Sequence, residues 1–119
     1  MKKKWAKKWV EALRSGKYKQ TQYHLKDADG YCCLGVLCTL TEYKNNYTKM
    51  IYVYGDGNFS SKNSVLPDSI RELTGIQTKD GAIPYKNSDE FTKSLASFND
   101  SGKSFKWIAN YIEKNWKKL

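Results

Sequence analysis

The chain has 119 residues, with 21 Lys and Arg against 12 Asp and Glu, which gives a formal net charge of +9. This length predicts one domain, 1–119, large enough to bury a core without metals or disulfides. Because 39% of the residues are hydrophobic and 14% aromatic, the composition excludes a disordered tail. The longest apolar run, residues 32–38, is far shorter than the roughly 20 residues that span a bilayer, so we expect no membrane partner.

The cysteine content and the N-terminus indicate the compartment. Three cysteines, Cys32, Cys33 and Cys38, are an odd number, and two of them are adjacent, which is a poor framework for intramolecular disulfides. The lysine-rich N-terminus lacks the apolar segment of a secretory signal. We therefore expect a protein of the reducing cytoplasm.

The chain begins with a predicted amphipathic helix. Trp5, Trp9 and Leu13 recur at helical spacing, and Gly16 stands where a glycine commonly ends a helix. This pattern predicts a helix over residues 3–15. Both tryptophans share the apolar stripe with Leu13, so we expect them in the core rather than at a binding surface.

A strand and a buried helix are predicted next. In residues 17–26, the even-numbered side chains from Tyr18 to His24 would lie on one side of a strand and the odd-numbered ones from Lys19 to Leu25 on the other. A turn signal follows at residues 27–30, so the pattern predicts an exposed strand. Apolar residues at helical spacing then predict a buried helix over residues 32–43. Gly35 in the middle of this helix indicates close packing against another element.

The central part of the chain carries strand, loop and turn signals. Residues 50–54 predict a strand, and the turn-rich residues 55–63 predict an exposed loop that could carry binding residues. A short helix is predicted over residues 68–73, closed by Gly75. A second short hairpin is predicted at residues 76–83.

The C-terminal third contains two predicted helices separated by a break. Asn87 and Glu90 have the spacing of a capping box, which predicts a helix through residue 98. Residues 99–102 break this helix, and Ser104 can cap a final one. The apolar stripe of that last helix consists of Phe105, Ile108, Ala109, Ile112 and Trp116. The predicted fold class is α+β, a small single domain with about four to five helices and a short antiparallel sheet or hairpins.

The positive charge is concentrated at the two ends of the chain. Residues 1–26 carry nine Lys and Arg against one acidic residue, and residues 103–119 carry five Lys against one Glu. If the first and last helices pack side by side, their lysines form one positive face that attracts phosphates or an acidic protein. The same pattern is typical of a solvated helix surface, and the sequence leaves both interpretations open.

Residues capable of catalysis or metal binding form no recognised pattern. Cys32 and Cys33 would point about 100° apart on a helix, and the spacing to Cys38 does not suit zinc. His24 is the single imidazole that could complete a metal site or activate a thiol. Glycine-rich phosphate loops, dinucleotide motifs and paired-histidine motifs are absent from the sequence. We therefore favour a protein without metal, cofactor or enzymatic activity. A small enzyme with an unrecognised site ranks third, after the two binding functions described below.

Three segments resemble a set of small uncharacterised bacteriophage and prophage proteins. They are residues 12–20 after a Trp-containing helix, residues 31–38 (YCCLGVLC), and residues 98–105 followed by Ile108 and Ala109. The cysteine-containing segment is the most specific of the three, and together they span nearly the whole chain. The resemblance implies phage origin and action inside the infected cell, without implying a reaction. At residue 98, Phe stands where these proteins more often have Leu.

The favoured function is that of a non-enzymatic phage accessory protein that acts by binding, as an antagonist of host defence or regulation. Arg14, Lys17 and Lys19 would contact the phosphates of a nucleotide or nucleic acid, and an aromatic ring would stack on a base. The candidate ligand-binding residues are Arg14, Lys17, Tyr18, Lys19, Gln20, His24 and Tyr31. A simpler interpretation has Tyr18 covering the core and Lys19 solvated. The alternative function is an inhibitor whose Lys-rich helices dock on an acidic host protein.

One feature of the last helix bears on oligomerisation. Trp107 and Tyr111 lie off its main apolar stripe and could mark a dimer face. Large aromatic side chains outside a core stripe are typical of contact surfaces. An oligomer is therefore a further hypothesis from the sequence.

Overall fold

The computed structural model describes residues 1–41, 65–83 and 93–119. Within these ranges the elements are α1 (Lys3–Arg14), β1 (Lys26–Asp27), β2 (Gly30–Tyr31), α2 (Cys33–Thr41), α3 (Asp68–Thr74), α4 (Leu95–Asp100), α5 (Phe105–Asn115) and a terminal 3-10 helix (Trp116–Lys118). The predicted α+β class, with about five helices and a short antiparallel sheet, is confirmed. The predicted strand at 50–54, loop at 55–63 and capping box at 87–90 lie outside the described residues.

Helices α1 and α5 pack against each other, which brings the two ends of the chain together. In α1, Trp5 and Trp9 are 2% and 0% exposed, so their predicted place in the core is confirmed. The indole N–H of Trp9 donates to the carbonyl of Cys33 at 2.8 Å and thereby ties α1 to α2. The buried residues of α5 are Phe105, Ile108, Ala109 and Ile112, all of which belong to the predicted stripe.

Helix α2 lies in the centre of the molecule, and residues 33–38 are all buried. A helix that is apolar all round must be enclosed by other elements. Gly35 is the point of closest approach, because a Cβ there would lie 1.6 Å from the carbonyl oxygen of Leu25. The prediction that Gly35 marks close packing is confirmed.

The prediction of an exposed strand over residues 17–26 is wrong. The sheet is a two-stranded hairpin in which Lys26 pairs with Tyr31 and Asp27 with Gly30. Upstream, Gln20 makes one isolated parallel bridge to Tyr31. The extended path cannot continue, because Tyr23 has a φ of 74°, in the left-handed region.

Helix α3 follows Pro67 and ends at Gly75, whose φ of 76° closes the helix as predicted. The hairpin predicted at 76–83 is wrong, because its backbone bonds to distant segments. The amide of Gln77 donates to the carbonyl of Leu119 at 2.9 Å, and Lys79 accepts from the amide of Leu66 at 2.7 Å.

Helix α4 is shorter than predicted. It begins at Leu95, and the side chain of Ser94 caps it by accepting a hydrogen bond from the amide of Ser97 at 3.0 Å. Ser94 itself is extended, with ψ of 161°, so a continuous helix from residue 87 to 98 is wrong. At α5 the predicted cap is confirmed, since Ser104 accepts from the amide of Trp107 at 3.1 Å.

Candidate functional site

Tyr18 and Tyr31 lie side by side next to the hairpin, half-buried and packed against the hydrophobic core, so Tyr18 covers the core as in the simpler interpretation. Residues after α1 run along β2, where the carbonyl of Lys19 accepts from the amide of Tyr31 at 2.8 Å and the amide of Thr21 donates to the carbonyl of Tyr31 at 2.8 Å. A Cβ on Gly30 would lie 2.2 Å from the carbonyl oxygen of Lys19, so glycine permits this approach. The two phenol rings meet edge to face, with their centroids 5.4 Å apart.

Two lysine ammonium groups lie over these rings. Lys17 Nζ is 5.8 Å from the centroid of Tyr18, and Lys26 Nζ is 5.4 Å from that of Tyr31. At this distance the ring quadrupole attracts a cation. Lys19 is exposed beside Tyr18 in the chain. We call these residues, Lys17, Tyr18, Lys19, Lys26 and Tyr31, the tyrosine patch.

An aspartate turn fixes the hairpin beneath the tyrosine patch. One carboxylate oxygen of Asp27 accepts from the amides of Asp29 and Gly30, at 2.8 and 3.0 Å. This arrangement is an Asx turn, in which an aspartate side chain stabilises the following backbone. Asp29 is exposed and offsets part of the local positive charge.

Four of the seven predicted ligand residues, Lys17, Tyr18, Lys19 and Tyr31, come together in the tyrosine patch, whereas Arg14 is tied to α5. The guanidinium of Arg14 donates to Asn110 Oδ1 at 2.7 Å and forms an ion pair with Glu113. A contact between Arg14 and a phosphate would therefore compete with these bonds.

Gln20 is part of an internal hydrogen-bond network. Its Nε2 donates to Asn99 Oδ1 and to the carbonyl of Lys103, at 2.9 and 2.8 Å, and its Oε1 accepts from the amide of Phe105 at 3.1 Å. Both amide donors of Gln20 are thus used inside the protein. His24 is half-buried, and its Nδ1 has no hydrogen-bond partner among the described residues.

Asn99, 0% exposed, is the centre of this network. Its Oδ1 accepts from Gln20 and from the amide of Cys33, the latter at 3.1 Å. Its Nδ2 donates to the carbonyl of Thr21 at 2.9 Å and to Asp100 at 3.2 Å. All four hydrogen-bonding positions of the side-chain amide are therefore occupied. The sequence indicated only a helix break here, and no local pattern distinguishes a buried Asn from a turn residue.

Cys32, Cys33 and Cys38 are all buried, and none of them forms a disulfide. Burial raises the pKa of the Cys32 thiol to about 11. Burial also raises the pKa of Cys33 well above its ordinary value. Since the thiolate is the nucleophile, thiols that stay protonated at neutral pH are poor catalysts. Both side chains therefore behave as small core residues.

A second aromatic cluster lies on the outer side of α5. Trp107 and Tyr111 stack one turn apart, with centroids at 5.7 Å and an interplanar angle of 14°. Phe98 of α4 contacts both rings, and Lys103 Nζ lies 4.9 Å from the centroid of Trp107. Trp107 is 37% exposed, so it lies off the buried stripe as expected. The dimer face stays a prediction.

Lys26 was missed by the sequence analysis, although a signal for it exists. The turn signal at 27–30 sets a hairpin register in which residues 26 and 31 are cross-strand partners. Directly opposed residues share a face of the sheet, so this register places Lys26 beside Tyr31.

The described ranges contain neither a metal-binding cluster nor a membrane-spanning helix. Residues 1–41, 65–83 and 93–119 contain no group of three His, Cys, Asp or Glu side chains placed to hold a metal ion. Among the helices of these same ranges, none is long and apolar enough to cross a membrane.

The fold and the tyrosine patch define a small, mainly helical α+β domain with a basic aromatic surface. The chain belongs to the family described as Domain of unknown function (DUF8296), which matches residues 1–116. No curated protein and no solved structure matches the chain. The family description carries no activity, so the function has to be argued from the surface.

Proposed function

We propose that this domain acts by binding, and that the tyrosine patch recognises a phosphate-bearing nucleotide or a single strand of nucleic acid. The supporting observation is that the half-buried rings of Tyr18 and Tyr31 pair edge to face while each ring attracts a lysine ammonium group. Ammonium groups bind phosphates, and tyrosine rings contact nucleobases of any sequence. The patch thus combines the two contacts that single-strand binding uses.

The state of the cysteines supports binding over catalysis. The pKa of Cys32 is raised to about 11, so this thiol is protonated at neutral pH. His24, the imidazole that would have to act as its base, makes no hydrogen bond through Nδ1 to any cysteine among the described residues. Recognition by a preformed surface requires neither group.

The resemblance to phage proteins supports a role in the infected cell. There the domain would act as a phage accessory protein that sequesters a nucleotide, or covers a nucleic-acid strand, against host defence or regulation. Native mass spectrometry of protein purified from infected cells should then show a retained mass of nucleotide size, which disappears on denaturation. A bare protein would contradict tight nucleotide sequestration.

Binding of a nucleic-acid strand is tested by fluorescence anisotropy with a labelled single-stranded oligothymidine at several salt concentrations. Lys17→Ala should weaken binding and lower the slope of log K against log salt by about 1, the effect of losing one phosphate contact. Tyr31→Leu keeps an apolar side chain but removes the ring, and should weaken binding about fivefold or more.

Lys106→Ala is the matched control, because Lys106 is exposed on α5 and its loss removes the same charge. Its effect on affinity should stay below about twofold. Far-UV circular dichroism checks that each variant is folded. Equal effects of Lys17→Ala and Lys106→Ala would mean that the protein binds through its overall charge, and the proposal would fail.

A further inference from the structure

A groove lies between α1 and the C-terminal end of α5, away from the tyrosine patch. Its apolar lining comes from Ala6 and Val10, which are 3% and 8% exposed, and from the half-buried Trp116. Its volume is about 290 Å³. This is close to the lower end of the roughly 300–1,000 Å³ that ligand pockets occupy, so the groove suits a small ligand.

The two ends of the groove differ in charge. At one end Arg14 and Glu113 form an ion pair and neutralise each other, and Glu11 lies on the same wall. At the other end Lys3 and Lys7 line the groove and have no ion-pair partner among the described residues. Along α1, Lys7 and Arg14 are separated by about 10 Å.

Lys3 and Lys7 make this end of the groove positive, and only Lys7 has an acidic residue, Glu11, four residues away along α1. Lys3 and Lys7 are four residues apart on one helix, a spacing at which like charges repel each other. The first turn of α1 contains no acidic residue, so Lys3 also meets the positive end of the helix dipole. A bound anion would relieve both effects.

We infer that this groove binds a small amphipathic anion, with an alkyl or aryl body against Ala6, Val10 and Trp116. The head group, a carboxylate or a phosphate, lies between Lys3 and Lys7. Glu11, whose charge the Arg14–Glu113 pair does not offset, repels a second negative charge at the far end. The site therefore selects a molecule with one charged head and an uncharged tail, unlike the polyanion proposed for the tyrosine patch.

Isothermal titration with sodium decanoate below its micelle concentration tests this inference. The double variant Lys3→Ala/Lys7→Ala should weaken decanoate binding by about tenfold or more, because it removes both charge-assisted bonds to the carboxylate. The double variant Lys4→Ala/Lys8→Ala is the matched control. It removes two exposed lysines at the same spacing from the same helix, but their ammonium groups lie over the ring of Trp5.

The control variant and Lys17→Ala should both stay within about twofold of the wild-type affinity. Decanol, which lacks the charge, should bind at least tenfold more weakly than decanoate. Equal weakening by the two lysine pairs, equal binding of decanol, or no binding of decanoate would overturn the inference. Such a head group belongs either to a free small molecule or to a membrane lipid, and sedimentation with phosphatidylglycerol vesicles distinguishes these two sources. Binding to vesicles without binding of free decanoate would also overturn the inference.

Discussion

Gly35 is required by the backbone of another segment rather than by its own conformation. A Cβ at this position would lie 1.6 Å from the carbonyl oxygen of Leu25, and that atom belongs to the chain leading into the hairpin. Backbone cannot move aside as the end of a flexible side chain can. The sequence indicated close packing at Gly35, but the identity of the neighbour follows only from the fold.

Gly35→Ala should therefore destabilise the protein by more than about 3 kcal/mol, because α2 and the hairpin have to separate. Gly16→Ala is the comparison, since Gly16 has a φ of 72° but a Cβ added there would have no atom within 4 Å. It should cost only about 1 kcal/mol, the usual penalty of a left-handed alanine. Urea unfolding measures both values, and a Gly35→Ala protein as stable as Gly16→Ala would contradict the packing.

The buried thiol of Cys32 makes stability depend on alkaline pH. Burial raises its pKa to about 11 in the folded protein, whereas an unfolded cysteine ionises near 8.5–9. Above about pH 9 the unfolded state loses its proton first, so the free energy of unfolding falls as the pH rises toward 11. Below pH 8 both states hold the proton, and the thiol contributes no pH dependence.

Cys32→Ala should remove about 2–3 kcal/mol of the stability loss between pH 8 and pH 11. Urea unfolding at a series of pH values measures the free energy of unfolding of both proteins. Because lysines and tyrosines titrate in both, their contribution cancels in the difference between the variant and the wild type. Parallel pH profiles for the two proteins would show that Cys32 ionises as easily in the folded state as in the unfolded one.

At the scale of elements, Asn99 joins three parts of the fold. Its side chain contacts the segment after α1 through Gln20 and Thr21, and the start of α2 through the amide of Cys33. Asn99 itself lies in the last turn of α4, which packs against α2. These hydrogen bonds tie residues 20 and 21 to α2 and α4, in addition to the isolated bridge from Gln20 to Tyr31.

Asn99→Ala should destabilise the protein by about 3 kcal/mol or more, because it leaves several buried donors and acceptors without partners. Asn110→Ala is the control, since Asn110 is exposed on α5 and accepts one bond from Arg14. Its cost should stay below about 1 kcal/mol. Thermal unfolding of the two variants compares them, and similar melting temperatures would rule out Asn99 as the joint between these elements.

The elements that the sequence predicts correctly carry their own local signals. Helix α1 has its apolar stripe, α3 has Gly75, and α5 has the Ser104 cap. Two of the three wrong predictions, at 17–26 and 76–83, concern segments whose hydrogen-bond partners are distant in the chain. Lys17, Tyr18 and Lys19 were predicted from their place just beyond a helix end, and Tyr31 was predicted as a ring that could stack on a base. The groove needs the packing of α1 on α5, which no local pattern specifies.

For the whole molecule, the contact between α1 and α5 joins the two basic ends of the chain. Both helices bury an apolar stripe, here called the apolar seam, in which Ile112 of α5 is 0% exposed, and an ion pair joins the two helices. The side chains of Arg14 and Glu113 are 41% and 58% exposed, so water screens their attraction. The seam should therefore supply most of the stability of this contact.

Ile112 and Glu113 are adjacent in α5 and allow this balance to be tested on one helix. Ile112→Ala should cost about 2–5 kcal/mol, since it removes buried apolar contacts and leaves a cavity. That is a large part of the roughly 5–15 kcal/mol that stabilises a domain. Glu113→Ala should cost less than about 1 kcal/mol and lose its effect at high salt. If urea unfolding instead shows the larger loss for Glu113→Ala, the ion pair rather than the apolar seam holds the two ends together.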